Sequence, residues 1–133
     1  MERQKKVVDA SVIAKWFLNE PDSKNALEFR DKHISEEILI IVPDLLFIEV
    51  LNALRYKGND EKALGEVNSS LWEMQLHIER TNPFLLEQAI NLSVKHKLSI
   101  YDAVYAALAQ LHGCQLVTAD KELSKLPQSL KIS

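Results

Sequence analysis

The sequence predicts an α/β chain with a mostly parallel sheet and helices on both faces. Two observations carry this. Short apolar runs, several of them β-branched, alternate with longer helical periodicities, which implies right-handed crossovers between parallel strands. Glycine and proline are scarce, at three and four residues, which argues against an all-β chain full of tight turns.

The elements follow in order. Residues 6 to 9 read as a buried strand, and Ser11 is placed to cap a helix running through about Leu18. "NEPD" breaks the chain, and Asp22 is expected to cap a helix to about His33. "ILIIV" at 38–42 is short, continuous and β-branched, the pattern of a strand covered on both faces. Pro43-Asp44 opens a helix to about Tyr56, closed by Gly58. Asp60 caps a less regular helix to about Trp72, and "LHIER" at 76–80 reads as a short strand. Pro83 starts a helix to about His96, with Leu86, Ile90 and Val94 at spacing four. Ser99 caps a strongly periodic helix closed by Gly113; "CQLVTA" is a strand, "DKELSKL" a turn with a short helix, and "LKI" a last strand.

Length and composition narrow the class. The 133 residues, 47% hydrophobic and 26% charged, fit a single globular domain over 1–133. Such a chain buries roughly two-thirds of its unfolded surface and folds without disulfides or a structural metal. The lone Cys114 permits no intrachain disulfide and reads as a small buried apolar residue. A net charge of −3 disfavours a non-specific nucleic-acid binder but leaves room for a local basic groove. The polar start "MERQKK" has no apolar signal-peptide core. The run "ILIIV" is far shorter than the roughly 20 residues that span a bilayer. The expectation is a soluble cytoplasmic protein without a membrane partner.

Function is carried by four acids set beside apolar residues: Asp9 at the end of the first strand, Glu49 in "DLLFIEVLNAL", Asp102 in "SIYDAVYAALA", and Asp120 after "QLVTA". Each has a structural explanation. Asp9 and Asp120 suit turns or helix caps. Asp102 stands three residues after Ser99, the spacing of a capping box, and Glu49 could lie on a solvated helix face. In a parallel α/β sheet, however, the functional crevice lies at the carboxyl ends of the strands. Two strand-end acids can meet two helix acids there. Clustered carboxylates repel and raise one another's pKa values. A hard divalent cation such as Mg²⁺ relieves this through oxygen ligands.

Other chemistries lack their residues. His33, His77, His96 and His112 are scattered, so a zinc site is unsupported and each reads as a surface or helix-end residue. No Gly-rich phosphate loop, nucleophile elbow or H-E-x-x-H is present. Ser11, Ser99 and Thr118 have no evident histidine partner. A haloacid-dehalogenase-like phosphatase needs a second Asp two residues after Asp9, where Ser11 stands; a receiver-like domain needs paired acids there.

With these residues assembled, the chain resembles the PIN-domain ribonucleases, most closely the VapC-type toxins of prokaryotic toxin–antitoxin pairs. The motifs that carry the resemblance are "VVDASV", "PDLLFIEVLNAL", "SIYDAVYAALA" and "LVTADKEL", in that order over nearly the whole chain. The resemblance implies a three-layer α/β/α sandwich with a parallel sheet of four or five strands. It implies that Asp9, Glu49, Asp102 and Asp120 bind Mg²⁺ or Mn²⁺ and carry catalysis. Ser11, Asn52 and Thr118 match polar positions flanking the pocket. It also implies an RNA substrate, a homodimer and an antitoxin that occupies the groove. Lys15, Arg55, Lys57, Lys121 and Lys125 lie near the motifs in sequence and are candidates for gripping RNA phosphates. Two readings from other classes stand beside this one: a non-catalytic PIN-like module binding RNA or protein, and a metal-dependent small-molecule phosphatase.

Overall fold

The computed structural model describes residues 2–132; Met1 and Ser133, the ends of the expected domain, lie outside that range. The strands are β1 (Gln4–Val8), β2 (Ile38–Pro43), β3 (His77–Glu79), β4 (Gln115–Thr118) and β5 (Ser129–Lys131). The α-helices are α1 (Ala10–Ile13), α2 (Ser23–Ile34), α3 (Leu46–Tyr56), α4 (Glu61–Glu73), α5 (Pro83–His96) and α6 (Ile100–His112). Two short 3-10 turns cover Ala14–Phe17 and Leu123–Lys125.

The five strands form one sheet in the order β3-β2-β1-β4-β5, every pairing parallel. Central β1 is in register with both neighbours: Val7 lies opposite Ile41 on one side and Leu116 on the other. The chain runs outward from β1 through β2 to β3, then crosses back to β4. Right-handed crossovers therefore set α1 to α4 on one face and α5 and α6 on the other. The reversal places a crevice where the carboxyl ends of β1 and β4 meet.

Burial explains the strand sequences. Ile40, Ile41 and Val42 are consecutive and all fully buried, because helices cover both faces of the sheet. Helix α6 is the central helix. Its seven residues from Ala103 to Ala109 are all buried, and it packs on β1, β2, β4 and α5. Asn82 caps α5 by accepting from Leu85 N, and Asp60 caps α4 by accepting from Ala63 N, as its position in the sequence predicts.

Several boundaries differ from expectation, each for a local reason. Asp9, not Ser11, caps the first helix, because the Asp9 carboxylate reaches Val12 N. That helix is one α-turn tightening into a 3-10 turn rather than a continuous helix to Leu18. Asp22 stands at the N-cap of α2 but makes no capping bond; its carboxylate pairs with Lys15 instead. Pro43 ends β2, and Asp44 accepts from Thr81 N and Oγ1, which ties the start of α3 to the loop before α5. In α5 the buried face is Leu85, Ala89 and Leu92, whereas Ile90 and Val94 of the predicted stripe are 53% and 78% exposed. His33 is buried, not a surface residue: its Nε2 lies 2.9 Å from Met74 O and its Nδ1 accepts from Ile40 N. Cys114 is half-buried and free.

Candidate metal centre

Asp9 leaves β1 at the crevice, and the next turn of chain fixes its carboxylate. Its backbone N–H donates to Val117 O on β4 at 3.1 Å. Its Oδ1 accepts from Val12 N at 3.2 Å and from Ser11 Oγ at 2.6 Å; its Oδ2 accepts from Thr118 Oγ1 at 2.5 Å. The two hydroxyls are held in turn. Ser11 Oγ accepts from Ala119 N at 3.0 Å, and Thr118 Oγ1 accepts from Asp120 N at 2.9 Å. Each hydroxyl thus carries a hydrogen bond from the backbone after β4 to one oxygen of Asp9. This is why hydroxyl residues stand at positions 11 and 118.

Glu49 projects from the first turn of α3, where its side chain is half-buried and accepts from Tyr105 Oη at 2.7 Å. Asp102 lies in the first turn of α6, where Ser99 caps the helix by accepting from Asp102 N at 3.0 Å. Asp120 follows β4, and its Oδ2 accepts from Leu123 N at 3.1 Å, holding the 3-10 turn. All four carboxylates line one cavity of about 360 Å³, whose apolar lining includes Ala14, Leu18 and Ala53. A hollow of about 430 Å³ elsewhere, around Arg3, His33 and Glu73, contains none of these four acids.

The electrostatics of the cavity are those of crowded acids. Burial pushes the Asp9 carboxyl up from 3.8 to about 6, against the pull of its three hydrogen-bond donors, and the charge of Asp102 adds to the rise. Burial also raises Glu49, opposed by the Tyr105 hydroxyl and reinforced by Asp102 and Asp9. Asp102 is raised by burial first and by Asp120 second, with Ser99 opposing. The buried Tyr105 phenol lies well above its usual range, from burial and from Glu49, so it remains a donor.

Among the described residues, none of the four carboxylates is in an ion pair. No group of three or more His, Cys, Asp or Glu side chains is already arranged to hold a metal ion. The donor set nevertheless suits a hard cation. It is all oxygen, lines one cavity and carries like charge, and none of its four members is ion-paired, which suits a hard divalent cation.

The other sequence candidates divide. Ser11 and Thr118 support Asp9 directly. Asn52 is exposed on α3 and is not among the residues lining the cavity. Lys15 and Lys57 stand on the cavity wall, whereas Arg55 lines a separate hollow with Asn59, Asp60 and Glu61. Lys121 is exposed outside the cavity lining, and Lys125 pairs with Glu122. Sequence reasoning missed Tyr105 and Glu20. Tyr105 was signalled by a hydroxyl inside the otherwise apolar stretch 103–109, three residues after Asp102 and so on its face.

Comparison with known proteins identifies the family of the fold. The model of the PIN domain family matches residues 6–128. The chain is 33% identical over 127 residues to ribonuclease VapC3 of Pyrobaculum aerophilum, covering 91% of this chain and 93% of that protein. It is 31% identical over 126 residues to VapC ribonuclease Mb0985 of Mycobacterium bovis, covering 92% and 91%. Its fold is similar to a chain of a toxin–antitoxin complex from Klebsiella pneumoniae, with a TM-score of 0.73, 20% identity, and coverage of 95% and 96%. With its all-parallel sheet, its crevice at the ends of β1 and β4 and these relatives along nearly its full length, the chain belongs to the PIN-domain family, in its VapC-like branch.

Proposed function

We propose that this protein is a divalent-metal-dependent endoribonuclease and the toxin of a VapBC-type toxin–antitoxin pair. The observation that carries the proposal is the convergence of Asp9, Glu49, Asp102 and Asp120 on one cavity with none of the four in an ion pair. The ribonuclease names of the relatives supply the substrate class.

Asp9, Glu49, Asp102 and Asp120 are the residues that would hold Mg²⁺ or Mn²⁺. When bound, the cation supplies charge stabilisation at the phosphoryl oxygens and lowers the pKa of a water. The chain supplies the rest. Ser11, Thr118 and Val12 lock the Asp9 carboxylate in one orientation, so no reorganisation is needed when substrate arrives. Tyr105 fixes Glu49. The apolar cavity wall of Ala14, Leu18 and Ala53 keeps the local dielectric low, which strengthens each charge interaction. Asp9→Asn is expected to abolish Mg²⁺-dependent RNA cleavage while leaving the far-UV spectrum native. Undiminished cleavage by that variant would sink the assignment.

The same reading places the protein in the cytoplasm with its RNA. Among the described residues no helix is long and apolar enough to cross a membrane. It also gives the chain two protein partners. An antitoxin is supported by the toxin–antitoxin complex with the same fold. A homodimer is supported by the apolar residues Phe84, Ile90 and Val94, which α5 exposes. Light scattering at micromolar concentration is expected to give twice the chain mass; a monomer would contradict the dimer.

A further inference from the structure

We infer that Lys15 and Lys57 form one phosphate-binding subsite on the wall of the acidic cavity, and that Glu20 stands in for the phosphate when RNA is absent. Lys15 Nζ lies 3.0 Å from Glu20 Oε1, and Lys57 Nζ lies 3.5 Å from Glu20 Oε2. The two oxygens of one carboxylate therefore face two ammonium groups from different elements, the 3-10 turn after α1 and the C-terminal end of α3. The two non-bridging oxygens of a phosphodiester carry the same single charge and can make the same bridge. All three side chains line the cavity that holds the four acids. A phosphate on this bridge belongs to a nucleotide flanking the one at the carboxylates.

The surroundings favour exchange of the carboxylate for a phosphate. The backbone at Glu20 is pinned, since Glu20 N donates to Ser23 Oγ, and Ser23 Oγ donates to Leu18 O. The Glu20 side chain is tied only by its ion pairs and is 30% exposed, and exposed pairs of that kind are weak. Lys15 is held independently. Asp22 Oδ1 lies 3.1 Å from its Nζ, and its side chain is only 17% exposed, so it stays in place when Glu20 swings away. With Glu20 and Asp22 both present, the two lysines are formally neutralised. The subsite gains a net positive charge only after Glu20 leaves, which sets an electrostatic threshold for polyanion entry.

This inference rests on the ribonuclease reading, and its test separates the two. The probe is a short single-stranded RNA carrying a fluorophore, and binding is followed by anisotropy in the cleavage-dead Asp9→Asn background. Glu20→Gln is expected to tighten binding about fivefold, the removal of one exposed ion pair at the subsite. Lys57→Glu is expected to weaken it by at least as much, and Lys57→Ala combined with Glu20→Gln is expected to erase the gain. A dissociation constant unmoved by both Glu20→Gln and Lys57→Glu would overturn the subsite, even if the wild-type protein cleaves RNA. Failure of the wild-type protein to cleave any RNA in Mg²⁺ or Mn²⁺ would overturn the ribonuclease reading as well.

Discussion

Asp9 has two duties that the sequence presents as rivals. It caps α1 through Val12 N, and it faces the cavity with an oxygen bonded to each of two hydroxyls. One carboxylate does both because a cap uses one lone pair and leaves others free. The burial that serves the site also destabilises the metal-free fold. The folded carboxyl titrates at about 6 and the unfolded one near 3.8. As pH rises, the unfolded chain therefore releases its proton first. The group favours the folded state below about pH 4, and that contribution is lost between about pH 4 and 6. In EDTA, raising the pH from 4 to 7 is accordingly expected to cost wild type on the order of 2 to 3 kcal/mol more than it costs Asp9→Asn, which has no carboxyl to ionise there. Urea melts of both proteins at the two pH values check this, and equal losses would contradict it.

Elements were legible in the sequence where a local rule fixes them. The β-branched run at 38–42, the cap at Asp60 and the Gly113 stop need no distant partner. The same holds for most of the acids. Asp9 and Asp120 follow strands and Asp102 lies in a first helical turn, as the sequence predicts, whereas Glu49 stands in a first turn because β2 runs through Pro43 and α3 begins only at Leu46. What local rules could not show depends on pairings across the chain. The Tyr105–Glu49 bond joins residues 56 apart in sequence, and the Lys57–Glu20 pair joins residues 37 apart. The outward face of Ile90 and Val94 in α5 was likewise invisible, because spacing four fits either side of a helix; packing on α6 selects Leu85, Ala89 and Leu92. Element stability and site chemistry should therefore separate experimentally. Asn82→Ala removes the cap of α5, which does not line the cavity, and is expected to cost about 1 kcal/mol. Its RNA cleavage at 25 °C should match wild type, and a selective loss of cleavage would show that α5 is coupled to the site.

On the scale of the whole molecule, strand order determines where chemistry can occur. The chain departs from β1 toward β2 and β3, then returns to β4 on the other side. The connecting segments diverge at the top of β1 and β4, and Asp9 and Asp120 sit at that opening. Helix α3 brings Glu49 and α6 brings Asp102 from opposite faces of the sheet, so the cavity is assembled from both layers. A net charge of −3 is consistent with a nucleic-acid enzyme built this way. Four carboxylates line the cavity where the proposed cation would offset them, and Lys15 and Lys57 supply positive charge on its wall. Crystals soaked in Mn²⁺ would show whether these four carboxylates form a metal site. Mn²⁺ is expected to give an anomalous difference peak within coordination distance of Asp9 and at least one of Glu49, Asp102 and Asp120. A cavity without such a peak at saturating Mn²⁺ would contradict it.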